Sequence, residues 1–237
     1  MNTLDLQQKG IILSASVSCM DLCNLKADMR RVEGSAVSFF HFDVVDGRFN
    51  DCIILGTPTL QAMRPHTTLP IEAHLAVYEP EKYVKQFADA GADYIAVHYE
   101  ADTREGLLRC FETIRSFDAL PVLALKAQTS VNDDIIALAR HASWILKLTV
   151  EPGYSGQTIK EESYNNIKEL RRALDGAGLD LRIQADGNVH GATVCKLVES
   201  GADMLTGGTS GLFLKDTTVK EASERLLRQA NDARNSR

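Results

Sequence analysis

Eight short runs rich in β-branched and aliphatic residues alternate along this chain with longer amphipathic stretches. The runs fall at residues 11–17, 37–43, 70–74, 94–98, 121–126, 144–150, 181–185 and 203–206. Near-continuous aliphatic content of this kind marks strands buried on both faces, and the spacing between them is helical. Strands of that type need helices on their outer side and right-handed crossovers, which leaves few topologies. Eight repeats in 237 residues predict a (β/α)₈ TIM barrel, with residues 1–237 as one domain. A doubly wound open sheet is the alternative. The first strand is not followed by Gly-x-Gly-x-x-Gly, which weighs against a dinucleotide fold.

Local punctuation supports the repeat. Residues 88–93 (Ala-Asp-Ala-Gly-Ala-Asp) and 198–203 (Val-Glu-Ser-Gly-Ala-Asp) both read as a helix end, a glycine stop and a new buried strand. A helix is expected over 21–32 with Asp21 as its cap, and another from Glu79-Pro80-Glu81 with Pro80 near the first helical position. The segment after Asp232 is expected to fray.

Bulk properties narrow the function classes. The net charge of −6 and pI near 5.5 provide no basic footprint, so no nucleic-acid partner is expected. No apolar run approaches the roughly 20 residues of a membrane span. Residues 1–5 lack a basic-then-apolar secretion pattern, and a cytoplasmic protein is expected. Five cysteines without Cys-x-x-Cys argue against disulfides or a structural zinc cluster.

In a barrel, chemistry collects at the C-terminal strand ends. Those ends supply Ser14, Ser16 and Ser18; His41 and Asp43; Glu72 and His74; His98 and Glu100; Lys126; Glu151; Gln184 and Asp186. His41 and Asp43, two apart on a strand, share a face. Taken alone they fit either a polar turn or half a site. Joined by His74 and Asp186 they form an N₂O₂ set suited to one divalent ion, zinc first, with manganese, iron or cobalt as alternatives. Two glycine-rich segments, Glu151–Gln157 and Gly207–Gly211, leave the sixth and eighth strands. The second lies where barrels bind phosphate, with amides at the start of a short helix.

Along nearly its whole length the chain resembles the ribulose-phosphate 3-epimerases. The matching stretches are His41-Phe-Asp-Val-Val-Asp-Gly-Arg-Phe49, Ala73-His-Leu-Ala-Val77, Val97-His-Tyr-Glu-Ala101, Thr149-Val-Glu-Pro-Gly-Tyr-Ser-Gly-Gln157, Ala185-Asp-Gly-Asn-Val189 and Gly201-Ala-Asp-Met204. Cys19-Met-Asp-Leu22 and Gly208-Thr-Ser-Gly-Leu-Phe213 resemble the D-allulose-6-phosphate 3-epimerase branch. The resemblance implies a phosphate-binding barrel that inverts C3 of a ketose phosphate, D-ribulose 5-phosphate or D-allulose 6-phosphate, through an enediolate. It implies His41, Asp43, His74 and Asp186 as metal ligands, with Asp43 and Asp186 as the acid/base pair. It also implies substrate contacts from Ser16, His74, Gly153, Tyr154, Ser155, Gly156, Gly187, Asn188, Gly208 and Thr209, and a homo-oligomer. The alternative is a sugar-phosphate-binding barrel that is non-catalytic or differently specific.

Several positions depart from the family pattern. Val45, Ala76 and Leu148 stand where methionines are usual, Asn50-Asp51-Cys52 replaces Val-Pro-Asn, and Asn188 replaces a glycine. The small Val45 and Ala76 predict an enlarged pocket. Lys147 replaces an apolar residue and has no account from sequence. Lys126 is expected in a salt bridge, and His66, His141 and His190 as spectators.

Overall fold

The computed structural model describes residues 2–8, 10–153 and 156–236. Eight parallel strands close a barrel: β1 (Ile12–Ser16), β2 (Phe39–Asp46), β4 (Ile71–Ala76), β5 (Tyr94–His98), β6 (Leu120–Leu125), β7 (Ile145–Leu148), β8 (Ile183–Val189) and β9 (Met204–Gly207). Each pairs with the next in chain order, and β1 pairs with both β9 and β2, so no edge is left open. A two-residue strand, β3 (Ile53–Ile54), runs antiparallel to the end of β2. Nothing in the sequence pattern marked it, because two residues are too few to show a period. Outside the barrel lie α1 (Leu25–Glu33), α2 (Thr57–Met63), α3 (Glu81–Asp89), α4 (Arg104–Ser116), α5 (Asp133–Ala139), α6 (Glu161–Gly176), α7 (Val194–Ser200) and α8 (Val219–Asn235).

Strand alternation sorts the side chains. Along β2, Phe40, Phe42 and Val44 pack outward in the layer shared with the helices, while Phe39 turns inward. The lower barrel is filled by Ile12, Phe39, Tyr94, Val122, Trp144, Leu146 and Met204. Trp144 lies 4.5 Å from the Tyr94 ring and 5.9 Å from Phe39, and burial of each such ring contributes about 1.5–3 kcal/mol. Above this apolar plug sits a buried polar tier of Ser14, His41, Glu72, Gln184 and Thr206.

The repeated helix-stop grammar has a repeated physical cause. Gly91 and Gly201 adopt φ of +104° and +126°, and a Cβ at either would meet Arg64 at 2.5 Å or Arg171 at 2.8 Å. The aspartate two residues on then anchors that arginine. Asp93 accepts from Arg64 Nη1 at 2.8 Å and from the Ile71 amide at 3.0 Å, and Asp203 pairs with Arg171.

Other expectations shift at the ends. The first helix starts at Leu25, because Asp21 accepts from the Cys23 amide at 3.0 Å and the Asn24 side chain at 2.7 Å within its own turn. Pro80 lies next to the first helical residue, as expected, in the cap position before Glu81. The segment after Asp232 stays helical to Asn235, tied down by Arg234 donating to the Gly10 carbonyl at 2.6 Å.

Candidate active site at the barrel mouth

His41 and Asp43 both face inward from β2. The register sets His41 opposite Glu72 and Asp43 opposite His74 on β4, while Asp186 arrives from β8. Each of His41, Asp43, His74 and Asp186 offers a donor atom, and these four atoms lie within 4.8 Å of one another. His41 is fully buried beneath the others, and the two carboxylates are partly open to the cleft above.

The hydrogen bonds define which ring nitrogens are free. His41 Nδ1 lies 2.6 Å from Glu72 Oε2, an acceptor, so Nδ1 carries the proton and donates. Nε2 therefore presents a lone pair to Asp43 Oδ1 at 2.9 Å and Asp186 Oδ2 at 3.5 Å. On β5, His98 Nδ1 donates to Glu100 Oε2 at 3.1 Å, which leaves His98 Nε2 as the acceptor of a proton from His74 Nε2 at 2.8 Å. His74 Nδ1 then turns its own lone pair toward Asp43 Oδ1 at 3.2 Å. Two imidazole nitrogens and two carboxylates brought this close need positive charge among them, from a metal ion or from a proton on His41. A small divalent ion fits this donor set, with His41 backed by the Glu72 carboxylate and His74 by His98, which Glu100 holds in turn.

The electrostatics show the same demand for positive charge. Burial works against a charge on His41, but Asp43, Asp186 and Glu72 outweigh it and hold the imidazole well above its usual range, so without a metal ion Nε2 takes a proton where an ion would otherwise sit. Burial likewise opposes ionisation of Asp43, yet His41 and His74 keep its carboxyl well below the usual value. His98 goes the other way, lowered to about 4 by burial, with His74 and Lys126 adding to the effect against Glu100.

Ser16 and Ser18 each donate to Asp43 Oδ2 at 3.0 Å, so Asp43 is oriented from two sides. Ser18 carried no role in the sequence reading beyond its place at a strand end. Beneath, Gln184 Nε2 donates to Glu72 Oε2 at 2.9 Å and Gln184 Oε1 accepts from Trp144 at 2.6 Å, which locks the carboxylate that holds His41.

The cleft over this cluster encloses about 330 Å³. Ser16, Asp43, His74, Gly153, Gly156, Asp186, Gly187, Asn188, Gly208 and Thr209 all line it. Tyr154 and Ser155 lie outside the described residues. Gly187 has φ of +121°, and a Cβ there would lie 2.5 Å from Val150 Cγ2. After β9 the expected short helix is a single turn, in which Gly211, Leu212 and Phe213 donate to the Gly208 carbonyl at 2.8–3.2 Å. Asn188 takes the left-handed conformation at φ +48° and accepts from Ser210 Oγ at 3.1 Å, joining the two glycine loops.

Two expectations fail here. Val45 and Ala76 do not open the cleft: they pack with Phe49 and Ala101, and Phe49 fills the space between His98 and Tyr78. Of the three methionine replacements, only Leu148 lines the cleft. Lys126 is in no ion pair among the described residues; its Nζ stands 4.0 Å from the Phe49 ring centre. Lys147 points outward from β7, is 1% exposed, and donates to the Lys126 and Thr129 carbonyls at 2.5 and 2.6 Å. His66 and His141 are exposed and His190 half-buried, all away from the cluster.

Comparison with known proteins places this geometry. A ribulose-5-phosphate-3-epimerase, chloroplastic, of Arabidopsis thaliana is 33% identical over 209 residues, covering 88% of this chain and 74% of the relative. A ribulose-phosphate 3-epimerase of Bacillus subtilis is 32% identical, covering 90% and 97%. Among solved structures, KGPDC from Streptococcus mutans superposes with a TM-score of 0.69 at 14% identity, covering 93% and 97%, and 3-hexulose-6-phosphate synthase from Salmonella typhimurium with 0.63 at 16%, covering 95% and 99%. These structural likenesses show a shared barrel fold. No helix of the described residues is long and apolar enough to cross a membrane. The model of the ribulose-phosphate 3 epimerase family matches residues 12–213, and the chain belongs to that family of isomerases, built on a (β/α)₈ barrel.

Proposed function

We propose that this protein is a divalent-metal-dependent 3-epimerase of a ketose phosphate, D-ribulose 5-phosphate or D-allulose 6-phosphate. The observation that carries this is the convergence of one donor atom each from His41, Asp43, His74 and Asp186, all within 4.8 Å of one another. A divalent ion held by these four residues supplies Lewis-acid stabilisation of the negative charge that develops when the C3 proton leaves. Zinc suits the donor set best, with manganese, iron or cobalt as alternatives.

Inversion at C3 needs one group to remove a proton and another to deliver one to the opposite face. Asp43 and Asp186 reach the cleft from β2 and β8, strands separated by β1 and β9, which suits them to the two faces of a planar intermediate. Ser16 and Ser18 hold Asp43 through Oδ2, so its other oxygen has a fixed direction. The loops at Gly187–Asn188 and Gly208–Thr209 bring backbone amides to the cleft wall and take the substrate phosphate. Gly153 and Gly156 border the remaining side.

Incubation of the zinc-loaded protein with each ketose phosphate in D₂O, with C3 followed by NMR, tests the proposal. Deuterium incorporation with inversion at C3 is expected, and is expected to vanish in Asp186→Asn. If no candidate sugar exchanges its C3 proton, the protein is a sugar-phosphate binder and not an epimerase.

A further inference from the structure

The buried Lys147 has no part in the chemistry above, yet it holds a backbone turn at the far end of a series of hydrogen bonds that begins at His74. The chain runs from His74 Nε2 to His98 Nε2 at 2.8 Å and from His98 Nδ1 to Glu100 Oε2 at 3.1 Å. Glu100 Oε1 then accepts from the Lys126 amide at 2.9 Å and from the Thr129 hydroxyl. Lys147 Nζ donates to the carbonyls of these same two residues, Lys126 and Thr129. The turn between them, closed by Thr129 N donating to Lys126 O at 3.1 Å, is thus gripped by a carboxylate on its donor groups and an ammonium on its acceptor groups.

We propose that Lys147 is a positioning residue for the metal centre: by clamping the Lys126–Thr129 turn it fixes Glu100, and through His98 it sets the ring orientation and tautomer of His74. This inference rests on the metal-centre assignment made above.

Three observations support it. Lys147 is fully buried outside the barrel wall, where an apolar side chain would fill the volume without desolvating a charge. Among the described residues both of its ammonium's hydrogen bonds go to the turn that Glu100 holds, so its placement makes sense through Glu100. Glu100 sets the tautomer of His98, and His98 sets that of His74, because each link has one donor and one acceptor. A loosened turn lets Glu100 swing, frees His98 Nδ1, and permits the His74 tautomer whose protonated Nδ1 faces the cluster.

The test compares Zn²⁺ affinity, by competition with a chromophoric chelator, for wild-type protein, Lys147→Met, Glu100→Gln and the double variant. It adds long-range ¹⁵N–¹H spectra of the zinc-loaded proteins to read the histidine tautomers. Wild-type protein is expected to show His74 protonated at Nε2 and His98 at Nδ1. Each single variant is expected to bind zinc roughly tenfold more weakly, and the double variant no more weakly than the worse single one. If Lys147→Met does not fold, Lys147→Leu, which also lacks a donor for the carbonyls, serves the same comparison. A folded Lys147 variant with wild-type zinc affinity and unchanged His74 nitrogen shifts overturns the inference, whatever its melting temperature. Wild-type protein that binds no divalent ion would bring down the metal-centre assignment itself, and this inference with it.

Discussion

Replacing Lys147 by methionine should change how stability depends on pH, by an amount that follows from its burial. The ammonium is pushed down to about 8 from an ordinary 10.5 by burial, against the opposing attraction of Glu100. In the unfolded chain the amine keeps its proton until about pH 10.4. Between these values the unfolded state binds more protons than the folded one, so wild-type stability gains as pH rises through 8. Integrating from pH 7 to 9.5 gives about 2 kcal/mol for this one group, or roughly 4–8 °C in Tm for a chain of this size. Lys147→Met has no such group. At pH 7 it sheds the cost of a buried charge but takes the ammonium from the Thr129 carbonyl, at about 1–3 kcal/mol, while the Lys126 carbonyl keeps the Thr129 amide, so the net change at a single pH is uninformative. Urea unfolding of both metal-stripped proteins at pH 7 and 9.5 isolates the titration. The stability difference, wild type minus variant, should rise by about 2 kcal/mol. Parallel pH profiles, or a difference that falls, would refute the placement of a buried titrating lysine.

Gly187→Ala should destabilise the protein by about 1–3 kcal/mol, because φ of +121° and a Cβ 2.5 Å from Val150 force the loop to shift; steady-state kinetics should show KM for the ketose phosphate rising more than kcat falls. Trp144→Phe removes the 2.6 Å bond to Gln184, and should cost about 1–3 kcal/mol in urea denaturation while weakening zinc binding through Glu72 and His41. Phe49→Ala should cost about 3–5 kcal/mol, since the ring is buried against His98 and Tyr78. If it supplies the bulk that Val45 and Ala76 lack, the kcat/KM ratio of six-carbon to five-carbon ketose phosphate should rise in that variant. An unchanged ratio would show that this wall does not select substrate length.

The alternation of buried runs and amphipathic stretches was sufficient for the barrel because strands covered on both faces leave almost no other closed arrangement. All eight barrel strands were legible, with ends shifted by a few residues, and the first helix starts later than expected because local hydrogen bonds compete at Asp21. The glycine stops at Gly91 and Gly201 were legible too, since a left-handed residue after a helix has few solutions. The four clustered residues were readable as strand-end His and Asp, and side-chain period alone put His41 and Asp43 on one face.

What required the tertiary structure was everything set by contacts across strands. Glu72 and His98 looked like any other polar strand ends; only the register of β2 against β4, and the meeting of His74 with His98, showed that each backs a histidine and fixes its tautomer. The loss of two methionines suggested a wider pocket, but Phe49 from a following loop takes that space, and no local pattern encodes where a loop side chain lands. Lys147 was an anomaly in the sequence because its partners are backbone carbonyls 18 and 21 residues away, and a carbonyl leaves no mark in a sequence. Sequence by itself determined the architecture and the chemical types present, since these follow from periodicity and residue identity. The fold decided which lone pairs face the cluster, what fills the wall and what braces it, since these depend on atoms brought together from distant strands.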